Sequence, residues 1–423
     1  MTKAVSNTLQ IETNNLPYAA LPRGWQPKSL GDVIKIRNGY AFKSSDFRDS
    51  GTLLIRQSNL SSNGISTDKA VHLPRHFIDR YANYRIEKGD VLIGMSGSIG
   101  KLCIYNLNEQ ALQNQRTGLI VFRIPQIREY ITHYLRYIEG NLLSLAKGEA
   151  VKNISAHQIE SFPVPMPPTN QAERIAHRLT RLTAELMRTT AKLESARINI
   201  THYHNALLQK LMYDSDASSV PLGRVAQITS GWRIPTDHFT GSNADIPCFK
   251  VADLAQIDGQ DNAHMNKAQG YISSNDYRKL GLKPLAQGSI VFAKNGGAIS
   301  LNRRAILSRP SLIDNNMMGI IGSPDVLDNM YLYYFTIGLR LQRFSRSTTI
   351  PSIRKSDIAA IPIPLPSISQ QKQTVTEIEK QFMQTARMER AINNATRQAE
   401  MLGRSILKRA FEGNLLGNEA GYS

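Results

Sequence analysis

The sequence predicts an α+β protein in which two similar globular domains form a pseudo-two-fold repeat, separated by an antiparallel two-helix coiled coil. A Leu-Gly-x-Val-x-x-Ile-x-x-Gly motif occurs at residues 30–39 and returns at 222–231. A run of apolar residues alternating with proline occurs at 162–167 and returns at 361–366. A long stretch with the heptad spacing of a coiled coil follows each run. These repeats predict two copies of one module.

The charge of the chain favours a polyanionic partner. The 423 residues include 51 Lys and Arg against 34 Asp and Glu, for a formal net charge of +17. Residues 1–214 hold 27 of the basic and 17 of the acidic residues, so both halves share the excess. Nucleic acid is the first candidate partner, and a membrane surface is disfavoured because no apolar run reaches 18 residues. Cys103 and Cys248 are the only cysteines, which fits a reducing compartment and opposes a disulfide scaffold or zinc site.

Within each domain, short apolar runs of strand length, such as residues 91–93 and 119–122, alternate with glycine turns. The proline runs lack every second backbone donor, so we expect edge segments packed on their own domains. The predicted order is an N-terminal arm (1–20), first domain (21–169), first helical spacer (170–213), linker (214–219), second domain (220–367), second helical spacer (368–412) and C-terminal tail (413–423).

The two helical spacers carry the predicted seam of the coiled coil. In the first spacer the apolar positions alternate between steps of four and three residues, and part of the second spacer follows the same rule. The predicted seam residues are Ile175, Leu179, Leu182, Leu186, Leu193, Ile200, Leu207, Leu211, Ile392, Leu402 and Ile406.

The short linker restricts how these helices can pair. Each helix would be about 60 Å long at about 1.5 Å per residue. Because so few residues join the first helix to the second domain, only an antiparallel pair buries both seams. The second helix then returns to the first domain, and the carboxyl end lies near the start of the chain.

The candidate nucleotide and metal sites do not have the residue spacing that such sites require. Residues 94–101 resemble a phosphate loop, but five residues separate the glycines where the motif needs four, and Leu102 replaces the magnesium-binding hydroxyl. A glycine-rich turn near a DNA backbone is favoured over a nucleotide site, and a plain hairpin turn is favoured over both. The pairs His72 with His76 and His202 with His204 are expected to be surface histidines. The pattern is that of a recognition protein.

Taken together, the duplicated parts resemble the specificity subunit of type I restriction–modification systems. The resemblance rests on the order of the opening motif, the α+β domain, the proline run, Gln171 or Gln370 and Gln371, and the long helix. It extends from about residue 21 to residue 415 and includes the similar helix ends at 207–211 and 406–411. The second seam departs from the first, since it is polar near Glu389 and Thr374 replaces an apolar residue.

This resemblance implies a non-catalytic, DNA-bound subunit in a bacterial or archaeal cytoplasm. Each domain would be a target-recognition domain for one half of an asymmetric, bipartite DNA site. The coiled coil would set the spacer length and dock two methyltransferase subunits, which use S-adenosylmethionine to methylate adenine at N6. Two motor-nuclease subunits, which use ATP and magnesium, would join for restriction. No cofactor is expected on this chain itself.

Base recognition requires Arg, Lys, Asn or Gln near loop tips, and phosphates are usually held by Lys, Arg, Ser or Thr. The alternative for each such residue is a solvated side chain, and for Trp232 a packing role. The candidates in the first domain are Tyr40, Arg56, Gln57, Ser96, Ser98, Lys101, Asn114, Gln115, Arg116, Lys152 and Asn153. Those in the second domain are Trp232, Lys250, Lys294, Asn295, Arg303, Arg304, Arg354 and Lys355.

Two rival functions follow from the same sequence. A coiled-coil adaptor would bind protein through its domains, but the positive charge shared by both halves counts against it. An enzyme with an unfamiliar active site would need paired carboxylates. Asp46 and Asp49 form such a pair in the first domain, whereas only Asp237 stands at the matching place in the second.

Overall fold

The computed structural model describes residues 21–61, 64–146, 153–213, 217–234, 236–240, 245–256, 263–346 and 351–416. The chain divides into two compact units, one formed by residues 1–191 with 396–423 and the other by residues 192–395. Each unit therefore combines one globular domain with a part of each long helix.

The first unit contains two four-stranded sheets and two two-stranded sheets. The strands are β1 (Gln26–Ser29), β2 (Ile34–Asn38), β3 (Thr52–Ile55), β4 (Leu60–Ser61), β5 (Gly64–Ile65), β6 (Val71–Leu73), β7 (Arg85–Ile86), β8 (Val91–Gly94), β9 (Leu102–Ile104), β10 (Ala111–Gln113), β11 (Thr117–Phe122) and β12 (Pro163–Met166). The helices are α1 (Leu30–Val33), α2 (Phe77–Arg80), α3 (Arg128–Tyr137), α4 (Glu139–Leu145), α5 (Ala156–Glu160) and α6 (Thr169–Tyr213), which continues into the second unit.

The chain passes from one sheet to the other between β10 and β11. The first sheet has the order β2-β11-β8-β9, and the second has the order β6-β3-β10-β7. In the first sheet, β11 is antiparallel to both β2 and β8. In the second, β10 is parallel to β3. The turn at residues 114–116 therefore joins two strands that are fixed in different sheets.

The second unit repeats this plan with a five-stranded sheet (β14-β21-β18-β19-β16) and a three-stranded sheet (β17-β15-β20). Its strands are β13 (Ser219–Pro221), β14 (Ala226–Ser230), β15 (Ile246–Phe249), β16 (His264–Met265), β17 (Gly270–Ile272), β18 (Ile290–Ala293), β19 (Ala305–Leu307), β20 (Leu312–Ile313), β21 (Met317–Gly322) and β22 (Pro362–Pro364). Its helices are α7 (Leu222–Val225), α8 (Ser274–Lys279), α9 (Asn329–Gly338), α10 (Lys355–Ala359) and α11 (Ile368–Phe411), which continues into the first unit. The predicted α+β class and repeat are confirmed.

The repeated opening motif has a packing explanation. Leu30, Val33 and Ile36 are at most 4% exposed and lie in the core of the first unit. The final glycine of the motif lies against the backbone of the turn between the two sheets. A Cβ atom on Gly39 would lie 2.3 Å from the carbonyl oxygen of Asn114, and one on Gly231 would lie 1.8 Å from that of Asp314. Glycine is required there because no side chain fits.

The proline runs form the edge segments that the sequence predicts. β12 pairs antiparallel with β1, and β22 pairs with β13. Phe162 and Val164 of the first run are buried in the domain core, as are Ile361 and Ile363 of the second. The proline carbonyls act as acceptors, and the Tyr130 hydroxyl donates to Pro165 at 2.6 Å. Each run therefore seals one side of its domain core.

The long helices pair antiparallel, as predicted. In the second unit, the Tyr203 hydroxyl donates to Gln381 at 2.9 Å, and the His204 ring nitrogen lies 2.5 Å from the Thr385 hydroxyl. In the first unit, Leu186 packs at Gly403. Ile175 and Leu179 of the first unit share a core cluster with Ala410 and Phe411. Within that unit, residue numbers therefore rise along α6 as they fall along α11, which defines antiparallel pairing. The buried ring of Phe411, 5.0 Å from that of Tyr134, anchors the end of α11 in the first unit.

The structure corrects two predictions about this helix pair. Leu402 is 54% exposed and does not lie in the seam. The neighbouring Gly403 occupies the seam position, because its missing side chain leaves room for Leu186. His204 is not a surface histidine, since its ring lies 4.2 Å from that of Phe382. Burial lowers the pKa of His204 accordingly.

Candidate nucleic-acid interface

In the first unit, four of the predicted DNA-binding residues meet in one cleft. Ser96, Gln115, Arg116 and Asn153 all line a cleft of about 340 Å³. The backbones of Ser96 and Asn153 pair as an isolated bridge across it. Three separate loops thus bring polar side chains to a single surface, which is the arrangement that groove recognition requires. Lys152, which was also predicted, lies outside the described residues.

Tyr40 fixes the turn that carries Gln115 and Arg116. Its backbone pairs with that of the buried Asn114, and its carbonyl accepts a 3.0 Å hydrogen bond from the Gln115 N–H. The Tyr40 ring lies 4.7 Å from that of Tyr81 and is 37% exposed. Tyr40 therefore positions the turn and also leaves part of an aromatic cluster open to a ligand.

The side chains of two other predicted residues, Arg56 and Gln57, are held by contacts with their own domain. Arg56 follows β3, and its guanidinium donates to the Lys69 carbonyl at 3.0 Å while lying 6.0 Å from the Phe47 ring. The side-chain amide of Gln57 packs at Gly97. Both side chains are half-buried. They therefore support the neighbouring turns, and only part of each surface remains available to DNA.

The glycine-rich segment at residues 94–101 closes the hairpin between β8 and β9. The Gly94 N–H donates to the Lys101 carbonyl, and the Gly100 N–H donates to the Gly94 carbonyl, both at 2.9 Å. Ser98 and Lys101 are half-buried within this turn. The segment is therefore a hairpin turn beside the cleft, as the sequence analysis favoured.

The second unit builds the matching turn with different side chains. The Trp232 N–H donates to the Ile313 carbonyl at 2.9 Å, and Trp232 pairs with Asp314 as Tyr40 pairs with Asn114. The Trp232 indole N–H donates to Lys283, so the ring is held to its own domain. Burial raises the pKa of Asp314, although the backbone N–H groups of Asn316 and Val251 oppose the increase.

Lys294 and Asn295 support this second turn. The Lys294 N–H donates to the Asn316 carbonyl at 2.8 Å. The Asn295 side chain donates to the Asn315 carbonyl at 3.4 Å and to the Asn316 amide oxygen at 3.3 Å. The Lys294 bond corresponds to the bond from the Met95 N–H to the Arg116 carbonyl in the first unit. The side chains of Asn315 and Asn316 are themselves exposed.

The basic residues predicted in the second unit have different environments. Arg354 and Lys355 are exposed at the start of α10, where either can contact phosphate. The Lys250 ammonium lies 5.0 Å from the Phe239 ring. Burial raises the pKa of Asp253, and the positive charge of Lys250 opposes this increase. Arg303 is half-buried and donates to the Leu254 carbonyl at 3.1 Å.

Arg304 is the clearest departure from the predicted interface. It is 2% exposed, and its guanidinium donates to the carbonyls of Thr336 and Leu339 at 2.8 and 3.0 Å. Burial lowers its pKa to about 9. A side chain enclosed in this way joins the β18–β19 loop to α9 and cannot reach DNA. The prediction of a DNA contact by Arg304 is therefore wrong.

Asn315 and Asn316, which were not among the predicted residues, lie in the second unit's counterpart of the Gln115–Arg116 turn. Equivalent backbone bonds pair Asn114 with Asp314, and Arg116 with Asn316, at a constant offset of 200 residues. The shared Asn-x-x-x-Gly pattern aligns Asn114 with Asn315 instead, so the equivalence of the two turns follows from their bonds and not from the sequence pattern.

The described residues show neither a metal site nor a membrane span. Within them, no group of three or more His, Cys, Asp or Glu side chains could hold a metal ion. None of the described helices is both long and apolar enough to cross a membrane. His76 is exposed, as expected, whereas His72 is half-buried next to Arg48.

Comparison with known proteins identifies the repeated module. A family model described as the type I restriction modification DNA specificity domain matches residues 22–195 and again residues 215–397. The chain belongs to this family. As a specificity subunit, it recognises DNA and does not itself catalyse a reaction, and the resemblance found in the sequence is confirmed.

Individual relatives of the specificity family extend over almost the whole chain. The type I restriction enzyme EcoBI specificity subunit of Escherichia coli is 24% identical over 96% of this chain and 89% of its own length. The EcoKI specificity subunit of Escherichia coli strain K12 is 20% identical over 93% of this chain and 90% of its own. The same fold occurs in a solved chain described as "Structural basis underlying complex assembly and conformational transition of the type I R-M system". That chain has a TM-score of 0.71 and 18% identity over 94% of this chain and 100% of its own length.

Proposed function

We propose that each domain of this specificity subunit recognises one half of an asymmetric bipartite DNA site. The observation that carries this proposal is the turn between the two sheets, which has the same backbone bonds in both units but different exposed side chains. One turn presents Gln115 and Arg116, and the other presents Asn315 and Asn316. Because the frame is shared and the side chains differ, the two half-sites differ in sequence.

The long helices supply the spacing and the docking surface. They continue from one compact unit into the other, so their length limits how far apart the two half-sites can be. Both units also carry exposed apolar side chains on these helices. Met187, Met401 and Leu402 lie in the first unit, and Met383 and Met388 lie in the second, each more than half exposed. Such side chains suit one adenine-N6 methyltransferase subunit per unit, hence two in the complex.

The chemistry of the complex resides in these partners. The methyltransferase subunits bring S-adenosylmethionine, and two motor-nuclease subunits bring ATP and magnesium when DNA is cut. This chain binds no cofactor of its own and acts on double-stranded DNA in the cytoplasm. Its formal charge of +17 favours association with the phosphate backbone and makes the affinity depend on salt.

Methylome sequencing tests the proposed function. A host lacking related systems would express this chain together with its neighbouring methyltransferase gene, and a second culture would lack only this chain. We expect a bipartite N6-methyladenine motif that depends on this chain. An active methyltransferase with no such motif, together with DNA binding that salt does not weaken, would favour the coiled-coil adaptor instead.

A further inference from the structure

The turn between the two sheets exposes only two adjacent side chains in each unit. Residues 111–120 are buried apart from Gln115 and Arg116. In residues 311–320 the exposed pair is Asn315 and Asn316, with Asp314 half-buried beside them. Each pair therefore projects from a largely buried stretch of backbone at the surface where the other predicted DNA-binding residues gather.

Backbone bonds hold both pairs in place from either side. In the first unit, Gln115 donates to Tyr40, and the Arg116 carbonyl accepts from Met95 at 3.1 Å. In the second unit, the Asn316 carbonyl accepts from Lys294, and the Asn316 N–H donates to the Asp314 carboxylate at 2.9 Å. A side chain on such a rigid frame can discriminate between bases, because its backbone is already ordered and only the side chain itself loses conformational entropy on binding.

The chemistry of the two pairs is different. Arginine presents a planar fork that matches the O6 and N7 acceptors of guanine, whereas an asparagine amide matches the N6 donor and N7 acceptor of adenine. Within the described residues, no hydrogen bond occupies the side chains of Arg116 or Asn315. The Asn316 amide oxygen already accepts from Asn295, so Asn315 is the freer of the two asparagines.

We propose that Arg116 selects a G·C pair in one half-site and that Asn315 selects an A·T pair in the other. This inference rests on the proposed function, since it names the bases that the same two surfaces recognise. Arg116 and Asn315 are then specificity-determining residues, whereas Tyr40, Met95, Lys294 and Asn295 position them. The remaining basic residues on each domain contribute affinity that does not depend on sequence.

The first test compares the methylomes of the wild-type system and of R116A and N315A variants, each with the complete set of partner subunits. The wild-type motif should contain a fixed G·C pair in one half and, in the other, a fixed A·T pair in addition to the adenine that is methylated. R116A should relax one G·C position, with discrimination falling about 5- to 150-fold, and N315A should relax that additional A·T position in the other half. R116K should lose less discrimination than R116A, because lysine keeps the charge and can donate to guanine but lacks the planar fork.

A charge-matched control separates base recognition from phosphate binding. Arg75 is exposed on the same domain and carries the same charge, so R75A should leave every motif position intact. Competition binding by the purified methyltransferase complex, with duplexes altered at single base pairs, gives a second readout. If R116A weakens binding equally for all duplexes, Arg116 contacts phosphate and the inference is wrong.

Exchange of the two pairs is the sharpest test. A variant carrying Q115N, R116N, N315Q and N316R should move the G·C requirement from one half-site to the other. A wild-type bipartite motif that none of these variants alters would overturn the inference while leaving the proposed function intact. A wild-type system with no motif that depends on this chain would overturn both.

Discussion

Arg304 is a cation buried without a carboxylate beside it, and its shortest described hydrogen bonds are to backbone carbonyls of its own domain. The Asn302 amide oxygen lies 3.5 Å from its guanidinium, and the Phe292 ring lies 5.6 Å away. The carbonyl of Thr336 also accepts from the Leu339 N–H, and that of Leu339 also accepts from the Asn302 side chain. R304A removes one donor from each carbonyl and leaves a cavity, so we expect the free energy of unfolding of the second domain to fall by about 1 to 3 kcal/mol. Urea denaturation monitored by tryptophan fluorescence measures this change.

Arg303 provides the matched control for Arg304. It is half-buried and donates to a single carbonyl, that of Leu254. We expect R303A to lower the free energy of unfolding by less than about 1 kcal/mol. Equal effects from the two variants would contradict a structural role specific to Arg304.

Gly39 determines where the Gln115–Arg116 turn lies. A Cβ atom there would overlap the Asn114 carbonyl, so G39A must push the turn away from Tyr40. We expect methylation of the bipartite site to fall at least about fivefold, which is the effect of losing one base contact in the first half-site. The control is G140A in α4, where an added Cβ atom meets nothing within 4 Å. Methylation unaffected by G39A would mean that the turn does not contact DNA.

Sequence could predict the kind of side chain at this interface but not its accessibility. Gln115, Arg116 and Asn153 were predicted and are exposed, because polar residues in loops usually are. Arg304 also lies in a loop with polar neighbours, yet helix carbonyls enclose it. Which of two adjacent arginines is buried depends on tertiary contacts far away in the sequence, and no local pattern records them.

At the scale of the helices, Gly403 defines the register of the antiparallel pair. An added side chain would lie 2.9 Å from Leu186 at its first carbon. G403L should therefore separate the helices locally and lower the free energy of unfolding by about 1 to 3 kcal/mol. L402A, on the exposed side, should change it by less than about 0.5 kcal/mol. Thermal unfolding followed by circular dichroism measures which variant is less stable. A larger loss of stability in L402A than in G403L would favour the seam predicted from sequence, with Leu402 in it.

The packing of α3 on α6 within the first unit should respond to pH through His133. This side chain is 5% exposed, and its ring nitrogen lies 3.0 Å from the Thr180 hydroxyl. Burial, reinforced by Arg136, lowers the pKa of His133 to about 4 from the usual 6.5. The unfolded chain therefore takes up a proton first as the pH falls, so stability is complete above about pH 6.5 and declines towards pH 4.

The loss due to His133 is at most about 3 kcal/mol, since each pKa unit corresponds to about 1.4 kcal/mol. Carboxylates also titrate in this range, so the informative quantity is the difference from H133Q. Denaturation midpoints measured from pH 7 to pH 4 should fall more steeply for the wild type than for H133Q. Parallel curves would show that His133 is not the group responsible.

The helical elements were more predictable than the contacts between them. Helix α6 begins at Thr169 and α11 at Ile368, against predicted starts of 170 and 368, because proline and capping residues mark both places. Ser367 and Gln370 form a cap at the start of α11, with the Ser367 N–H donating to Gln370 Oε1 at 3.1 Å. The predicted seam was wrong near Gly403. A search for apolar residues does not select a glycine, although here the missing side chain makes room for a leucine of the other helix.

At the scale of the whole molecule, the proposed function gives DNA recognition to the domains and the spacing between half-sites to the two long helices. Each compact unit carries its own exposed pair of polar side chains, and both helices extend through the boundary between the units. The proposed function therefore assigns half-site sequence and half-site spacing to separate parts of the chain. This separation predicts that one can be changed without the other.

Insertion of one heptad into each helix tests this separation. The insertions follow Ala191 and Ala395, where the units meet, and keep both seams in register. Seven residues add about 10 Å of helix, at about 1.5 Å each, which corresponds to about three base pairs at about 3.4 Å per pair. We expect the methylome to show the same two half-sites with a gap about three base pairs longer. A seven-residue extension after Ser423 is the control for added length and should leave the gap unchanged. Half-sites that change together with the gap, or a gap that does not respond, would show that the helices do not act as the spacer.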